Sequence, residues 1–178
     1  MKKNKQSKEL KLDLACGALK KEGFIGVDIR KFKGVDIVCD LTKKWRWKTN
    51  SVDEVHCAHY LEHLAPKDRI HFINELYRVL KPDAKATLIC PHWCSTRAYG
   101  DLTHAWPPVS EYWFYYLRKE WRNQHAPHTN DDYKCNFECT WGYGLHPSLE
   151  TKSEEYKVFA VNNYKEVVAD TVATLTKK

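Results

Sequence analysis

Five side chains able to move a proton or hold an ion recur at helical spacing. His59, Glu62 and His63 fall at i, i+3 and i+4, and Asp101 and His104 at i and i+3. On a helical turn the first three share one face. Imidazole ionises near neutral pH, which makes His59 the leading candidate for a general base, with His104 and Asp101 as reserves. The set His59, Glu62, His63 and His104 also carries the nitrogen and oxygen donors of a metal site. Shared helical spacing alone does not make these residues ligands, so the expectation is a site without a metal. A second group consists of carboxylates at the ends of short apolar runs. Asp13 and Gly17 lie in Leu12-Asp-Leu-Ala-Cys-Gly17, Asp28 follows Phe24-Ile-Gly-Val27, and Asp40 follows Cys39. At a strand tip, glycine lets a ligand approach the backbone and a carboxylate accepts both hydroxyls of a diol.

Those residues need elements to hold them. Strand-like runs span 10–15, 24–27, 35–39, 52–57 and 86–90. A helix is predicted after Pro66, with Ile70, Ile73, Leu76, Tyr77 and Leu80 on one stripe and Lys81-Pro82-Asp83 as its stop. Strand, helix, strand implies a right-handed parallel crossover. The link from Gly17 to Phe24 has six residues, too few for the helix that ordinarily follows a first strand. Without a helix N-terminus aimed at a phosphate, the ligand is expected to lack a pyrophosphate.

Residues 92–147 change character, holding five of seven tryptophans, six of ten tyrosines and five of nine histidines. Substrate recognition is placed there: His92, Trp93, Tyr99 and Trp106 offer flat faces, and Arg97 suits an anion. Within this stretch the pattern predicts a helix over 111–124 and a strand over 133–144. A helix near 153–168 and a last strand through Val172, Thr174 and Thr176 follow. The chain reads as one domain with a basic tail (1–9), a ligand-binding core (10–91), the aromatic region (92–147), and a C-terminal helix and strand (148–178).

Composition narrows the classes. At 178 residues and 43% hydrophobic content the chain can bury a proper core. No run of about 18 apolar residues occurs, and the lysine-rich start (Lys2, Lys3, Lys5, Lys8, Lys11) leads into no hydrophobic signal, so a soluble cytoplasmic protein without a membrane partner is expected. The seven cysteines are odd in number and scattered, and neither Cys90-x3-Cys94 nor Cys135-x3-Cys139 has ribbon or finger spacing. They read as buried thiols. Residues 1–48 carry 14 Lys/Arg against 6 Asp/Glu, and the remainder 15 against 17. A polyanion such as nucleic acid is a possible partner of that basic third. Oligomeric state is not fixed by the sequence.

The ordered set Leu12-Asp-Leu-Ala-Cys-Gly17, Val27-Asp28, Cys39-Asp40-Leu41, His59-Tyr-Leu-Glu-His63 and Arg78-Val-Leu-Lys-Pro82 resembles class I S-adenosylmethionine (SAM)-dependent methyltransferases of the methyltransferase 11 type, over roughly residues 10–92. It most resembles a small stand-alone subgroup that includes bacteriophage proteins. The resemblance implies an α/β fold with a Rossmann-like, mostly parallel sheet of about seven strands and helices on both faces. That sheet is trimmed at the first helix and carries an aromatic-rich insert after the fifth strand. It implies SAM as cofactor, with Asp13 and Gly17 beside the methionine moiety, Asp28 on the ribose, Asp40 and Leu41 facing the adenine, and Ala15, Ile29 and His59 also at the cofactor. The chemistry implied is direct SN2 transfer with release of S-adenosylhomocysteine. Ala18-Leu19 stands where the second glycine of Gly-x-Gly is usual. The Asn/Asp-Pro-Pro-aromatic signature of amino methyltransferases and the Pro-Cys of cytosine C5 enzymes are absent, Cys90-Pro91 having the reverse order. O-methylation is therefore favoured, with the acceptor open. Two rival readings stand beside it. One is a non-catalytic SAM-fold scaffold that binds a partner through 92–147. The other is a metal-dependent RNA 2′-O-methyltransferase using Lys20, Lys21, Lys31 and Lys33 on its substrate.

Overall fold

Along the longer strands, buried residues alternate with more exposed ones, and this period of two sets the layers. The computed structural model describes residues 9–178. Its strands are β1 (Lys11–Leu14), β2 (Ile25–Asp28), β3 (Ile37–Val38), β4 (Val52–Ala58), β5 (Leu80–Pro91), β6 (Phe137–Leu145) and β7 (Val168–Lys177). They form one sheet in the order β3-β2-β1-β4-β5-β7-β6, parallel except for β7, which is antiparallel to both neighbours. The carboxyl ends of β1 to β6 therefore share one edge. The helices are α1 (Pro66–Val79), α2 (Arg97–Gly100), α3 (Glu111–Tyr116), α4 (Lys119–His125) and α5 (Glu154–Asn163).

Leu12, Leu14, Val27, Val55, Cys57, Ala86, Leu88, Ala173 and Leu175 share one face and are buried in one cluster with Phe72, Ile73, Leu76 and Val79 of α1 and Phe114 of α3. Each such aliphatic side chain contributes ~1.5–3 kcal/mol on full burial. The opposite face, with Glu54, His56, Thr87, Ile89, Val172 and Thr174, is half-exposed. The helical layers expected on both faces are thus complete on one only. The cause lies in the links: 15–24 has no helix, as expected, and neither do 29–36 or 39–51. The first two are cinched together. Asp36 accepts the Gly26 N–H (2.7 Å) and pairs with Lys20 (2.8 Å). A Cβ at Gly26 would stand 2.5 Å from the Gly34 carbonyl oxygen, so the close approach requires glycine.

Proline at the first position starts α1, with Asp68 in its first turn and Arg78 in its last, both favourable to the helix dipole. The chain leaves α1 straight into β5. Lys81-Pro82-Asp83 does end the helix, but as a bulge inside β5 between the pairs Val52–Leu80 and Glu54–Lys85, with Asp83 left-handed (φ 62°).

Two boundaries in the aromatic region differ from the sequence pattern. The helix predicted over 111–124 is two helices broken at Leu117-Arg118, and the strand predicted from 133 begins at Phe137. Buried Arg122 explains both, since its guanidinium donates to the carbonyls of Tyr116 (2.6 Å) and Cys135 (2.7 Å), which are then lost to regular pairing. The last helix is also shorter than predicted. It starts on Ser153, whose hydroxyl accepts the Tyr156 N–H (3.3 Å), and it stops well before Val168, which enters β7.

All seven cysteines are free. Burial pushes the Cys135 and Cys139 thiols up to about 11 and about 12, in line with a packing role. Among the described residues no helix is long and apolar enough to cross a membrane. The expected basic tail, with Lys2, Lys3, Lys5 and Lys8, lies outside the described residues.

Candidate active site

The first four strands end at a common edge. After β1 the chain turns through Ala15 (φ 54°) and Gly17 (φ 55°), both left-handed. For Ala15 that conformation costs ~1–2 kcal/mol, strain of a kind kept at functional sites. Beside Gly17 the space is open, with no atom within 4 Å of where a Cβ would stand. Asp28 ties the two tips together, Oδ2 accepting the Gly17 N–H (2.9 Å) and Oδ1 the Arg30 N–H (3.0 Å). A carboxylate oxygen accepts more than one donor, so both keep capacity for a ligand. Ile29, next in line, is 60% exposed and apolar. Asp40 commits Oδ1 to the N–H (2.9 Å) and hydroxyl (2.7 Å) of Thr42, bonds that hold its carboxyl below the usual range.

Two expected cofactor residues sit differently. Leu41 is buried in the core, so its side chain does not face the edge. Asp13 spends one oxygen on His56 Nδ1 (2.7 Å) and the other on the Lys21 N–H (2.7 Å), bracing β1 against β4 and the following loop. It still acts through charge. Burial is the main reason the Cys16 thiol is pushed up, and the nearby Asp13 and Asp28 carboxylates add to it.

β4 delivers His59, also left-handed (φ 54°), with its N–H on the Ile89 carbonyl (2.8 Å). A single 3₁₀ turn, Leu61–His63, follows. His59 Nδ1 lies 3.3 Å from Glu62 Oε1, and this bond raises the imidazole pKa above its ordinary value against the opposing effect of burial. Glu62 is only 4% exposed, and its Oε2 has no hydrogen-bond partner among the described residues. The distant His104 is brought here by Arg69, which donates to the carbonyls of Leu61 (2.9 Å), Ala105 (3.0 Å) and Pro107 (2.5 Å). The Ala105 N–H completes the junction on the Glu62 carbonyl (2.7 Å). As a result the His63 and His104 rings meet edge to face at 4.7 Å, and Glu62, His63 and His104 offer ligand atoms all within 4.8 Å of one another. His59 meets this group through Glu62. Asp101 shapes the loop, its Oδ1 accepting the Thr103 N–H (2.8 Å) and hydroxyl (2.7 Å).

Past β5, the expected substrate residues divide. His92 is 2% exposed with Nε2 2.6 Å from Glu111 Oε1 and Nδ1 2.9 Å from Cys94 Sγ, so neither nitrogen is presented to a ligand. Arg97 pairs with Asp170 (3.1 Å). Trp93 and Trp106 are exposed, and with Tyr112, Tyr115, Trp141 and Tyr143 they wall a cleft of about 640 Å³. Tyr99, expected beside them, donates its hydroxyl to the Trp93 carbonyl (2.7 Å). Glu111, absent from the sequence candidates, orients the wall: Oε2 accepts the Trp93 indole N–H (2.9 Å) while Oε1 holds His92. In the sequence it reads as an ordinary first-turn acid of a helix.

A sheet of this order, with its one antiparallel strand and acid-tipped ligand edge, defines the class I methyltransferase fold. Three solved structures share it. One is a SAM-dependent methyltransferase from Archaeoglobus fulgidus (19% identity over 95% of this chain and 86% of that one, TM-score 0.68). Another is a SAM-dependent methyltransferase from Methanosarcina mazei (16%, 96% and 93%, TM-score 0.59). The third is phosphoethanolamine N-methyltransferase 2 of Haemonchus contortus in complex with SAM (15%, 95% and 48%, TM-score 0.50). Residues 9–88, a little under half of the chain, match the Methyltransf_11 methyltransferase domain, and this stretch holds β1 to β4, α1 and most of β5. No curated protein matches the sequence.

Proposed function

We propose that the protein transfers the methyl group of SAM to an oxygen of a planar acceptor laid in the aromatic cleft. The residues fit the cofactor: open space at Gly17, a carboxylate with spare acceptor capacity at Asp28, the exposed apolar Ile29, and the Asp40 carboxylate, with the Asp13 carboxylate close by as a third negative group beside a sulfonium. When bound, SAM supplies an electrophilic methyl group that leaves as S-adenosylhomocysteine forms. Positioning is the larger task of this chain. His59 Nδ1–H is held on Glu62, which leaves Nε2 as the acceptor for the hydroxyl proton of the substrate.

The observation that carries the acceptor class is the cleft, whose Trp106 wall lies two residues beyond His104 and whose Trp93 wall lies two residues beyond the β5 tip. Labelled SAM offered with phenols, flat hydroxylated heterocycles, aliphatic alcohols and amines tests the reading. Label is expected on the oxygen of the planar acceptors. Loss of one stacking face in Trp93→Ala, worth ~1–3 kcal/mol, should raise the acceptor KM without changing SAM affinity. Transfer to amines alone, or a KM indifferent to Trp93→Ala, would sink it.

A further inference from the structure

We infer that Glu62, His63 and His104 bind a divalent transition-metal ion, against the sequence expectation of a metal-free site. Three independent features point to it. The ligand atoms of the trio already lie within 4.8 Å of one another. Both imidazoles have the tautomer that a metal needs, set by partners on the far side of each ring. The Thr103 hydroxyl gives its hydrogen to Asp101 Oδ1 (2.7 Å), so toward His63 Nδ1 (3.0 Å) it acts as acceptor, and Nδ1 carries the proton. His104 Nδ1 faces the Ala98 carbonyl (3.2 Å), which only accepts. Nε2 of each ring therefore keeps its lone pair, that of His104 with Asp101 Oδ2 3.8 Å away and beyond hydrogen-bond distance, and bonds of this type on the far nitrogen are what orient ligating histidines. The third feature is the Glu62 carboxylate, buried with Oε2 unpartnered, while the hydrogen bonds of the nearby Arg69 go to three carbonyls and none to Glu62. An uncompensated buried oxygen of this kind is costly unless a cation or a donor meets it.

The donor set selects the ion. Two imidazole nitrogens and one carboxylate oxygen suit Zn²⁺, Co²⁺ or Mn²⁺, whereas Mg²⁺ and Ca²⁺ prefer oxygen alone. Bonds of about 2.0–2.1 Å place tetrahedral ligands roughly 3.3 Å apart. Reaching that spacing requires the trio, now within 4.8 Å, to close by about 1.5 Å at most, and His63 is exposed, so a coordination position stays open to solvent or to an oxygen ligand.

The test needs no methyl transfer. Metal-stripped full-length protein without a histidine tag is titrated with Co²⁺, reading the visible d–d bands, and with Zn²⁺ by calorimetry. One ion per chain is expected. His63→Ala removes an exposed side chain and leaves the fold intact, and with His104→Ala it should weaken binding by at least about tenfold. Thr103→Val should weaken it by roughly 10–100-fold through the lost orienting bond. His71→Ala, a half-buried position on α1 whose Nε2 lies on the Lys43 carbonyl (2.9 Å), should have no effect on the Co²⁺ bands. Absence of Co²⁺ bands in the wild type, or a Kd unmoved by His63→Ala and His104→Ala, would overturn the assignment.

Discussion

Asp28 and His59 do different work, and single substitutions separate them. Asp28→Ala removes the acceptor proposed for the ribose and frees the Gly17 and Arg30 N–H groups. Loss of charge-assisted bonds of this kind should weaken SAM binding by about 1–3 kcal/mol, and an unchanged Kd would refute the assignment. His59→Gln should leave SAM affinity alone and lower kcat by ~10²–10⁴-fold, the usual span for a lost general base; an unaltered kcat would make His59 a wall of the pocket. At this scale the sequence was partly legible. Gly17, Asp28 and Asp40 stand at strand tips where the apolar runs end, so composition and order alone located them. Asp13 was not distinguishable from them, because the brace to His56 joins residues far apart in the chain and no local pattern marks it. Leu41 was misread for a similar reason: its position after Asp40 marks the edge, while its side chain turns into the core.

Among the elements, the non-helical stretch before β4 is held by α1. Glu75 accepts the Trp45 N–H (2.6 Å) and pairs with Arg78 (2.7 Å), which also donates to the carbonyls of Trp45 (3.1 Å) and Trp47 (2.8 Å). Burial pulls the Glu75 carboxyl up, but the Arg78 guanidinium and the Trp45 N–H outweigh it and hold the pKa below 4.5. A lowered carboxylate stabilises the fold fully above its unfolded value and loses that contribution as pH falls through the folded one. Glu75→Gln should therefore cost about 1–2 kcal/mol at neutral pH, with the Tm gap to wild type closing as pH drops below 4.5. A gap independent of pH would contradict the ion pair. The strands and α1 were readable from period and proline. The break between α3 and α4 was not, since it depends on Arg122 reaching carbonyls on both sides of the loop, a tertiary contact that overrides a continuous helical pattern.

Over the whole molecule, the sheet has kept the ligand edge of its class while three links have lost their helices and one face has stayed half-exposed. The shortness of the first link was visible in the sequence, and it bears on cofactor binding in the same way as Ala18-Leu19 in place of the usual second glycine. Because a ligand that binds only the native state raises its stability, saturating SAM should raise the Tm of the wild type, and raise that of Asp28→Ala by less. The most direct measurement is a calorimetric titration of the purified protein with SAM and with S-adenosylhomocysteine. Micromolar binding of both at one site per chain, weakened by Asp28→Ala, is the expected result. Absence of binding to either ligand by correctly folded protein would contradict the assignment of this edge as a working cofactor site.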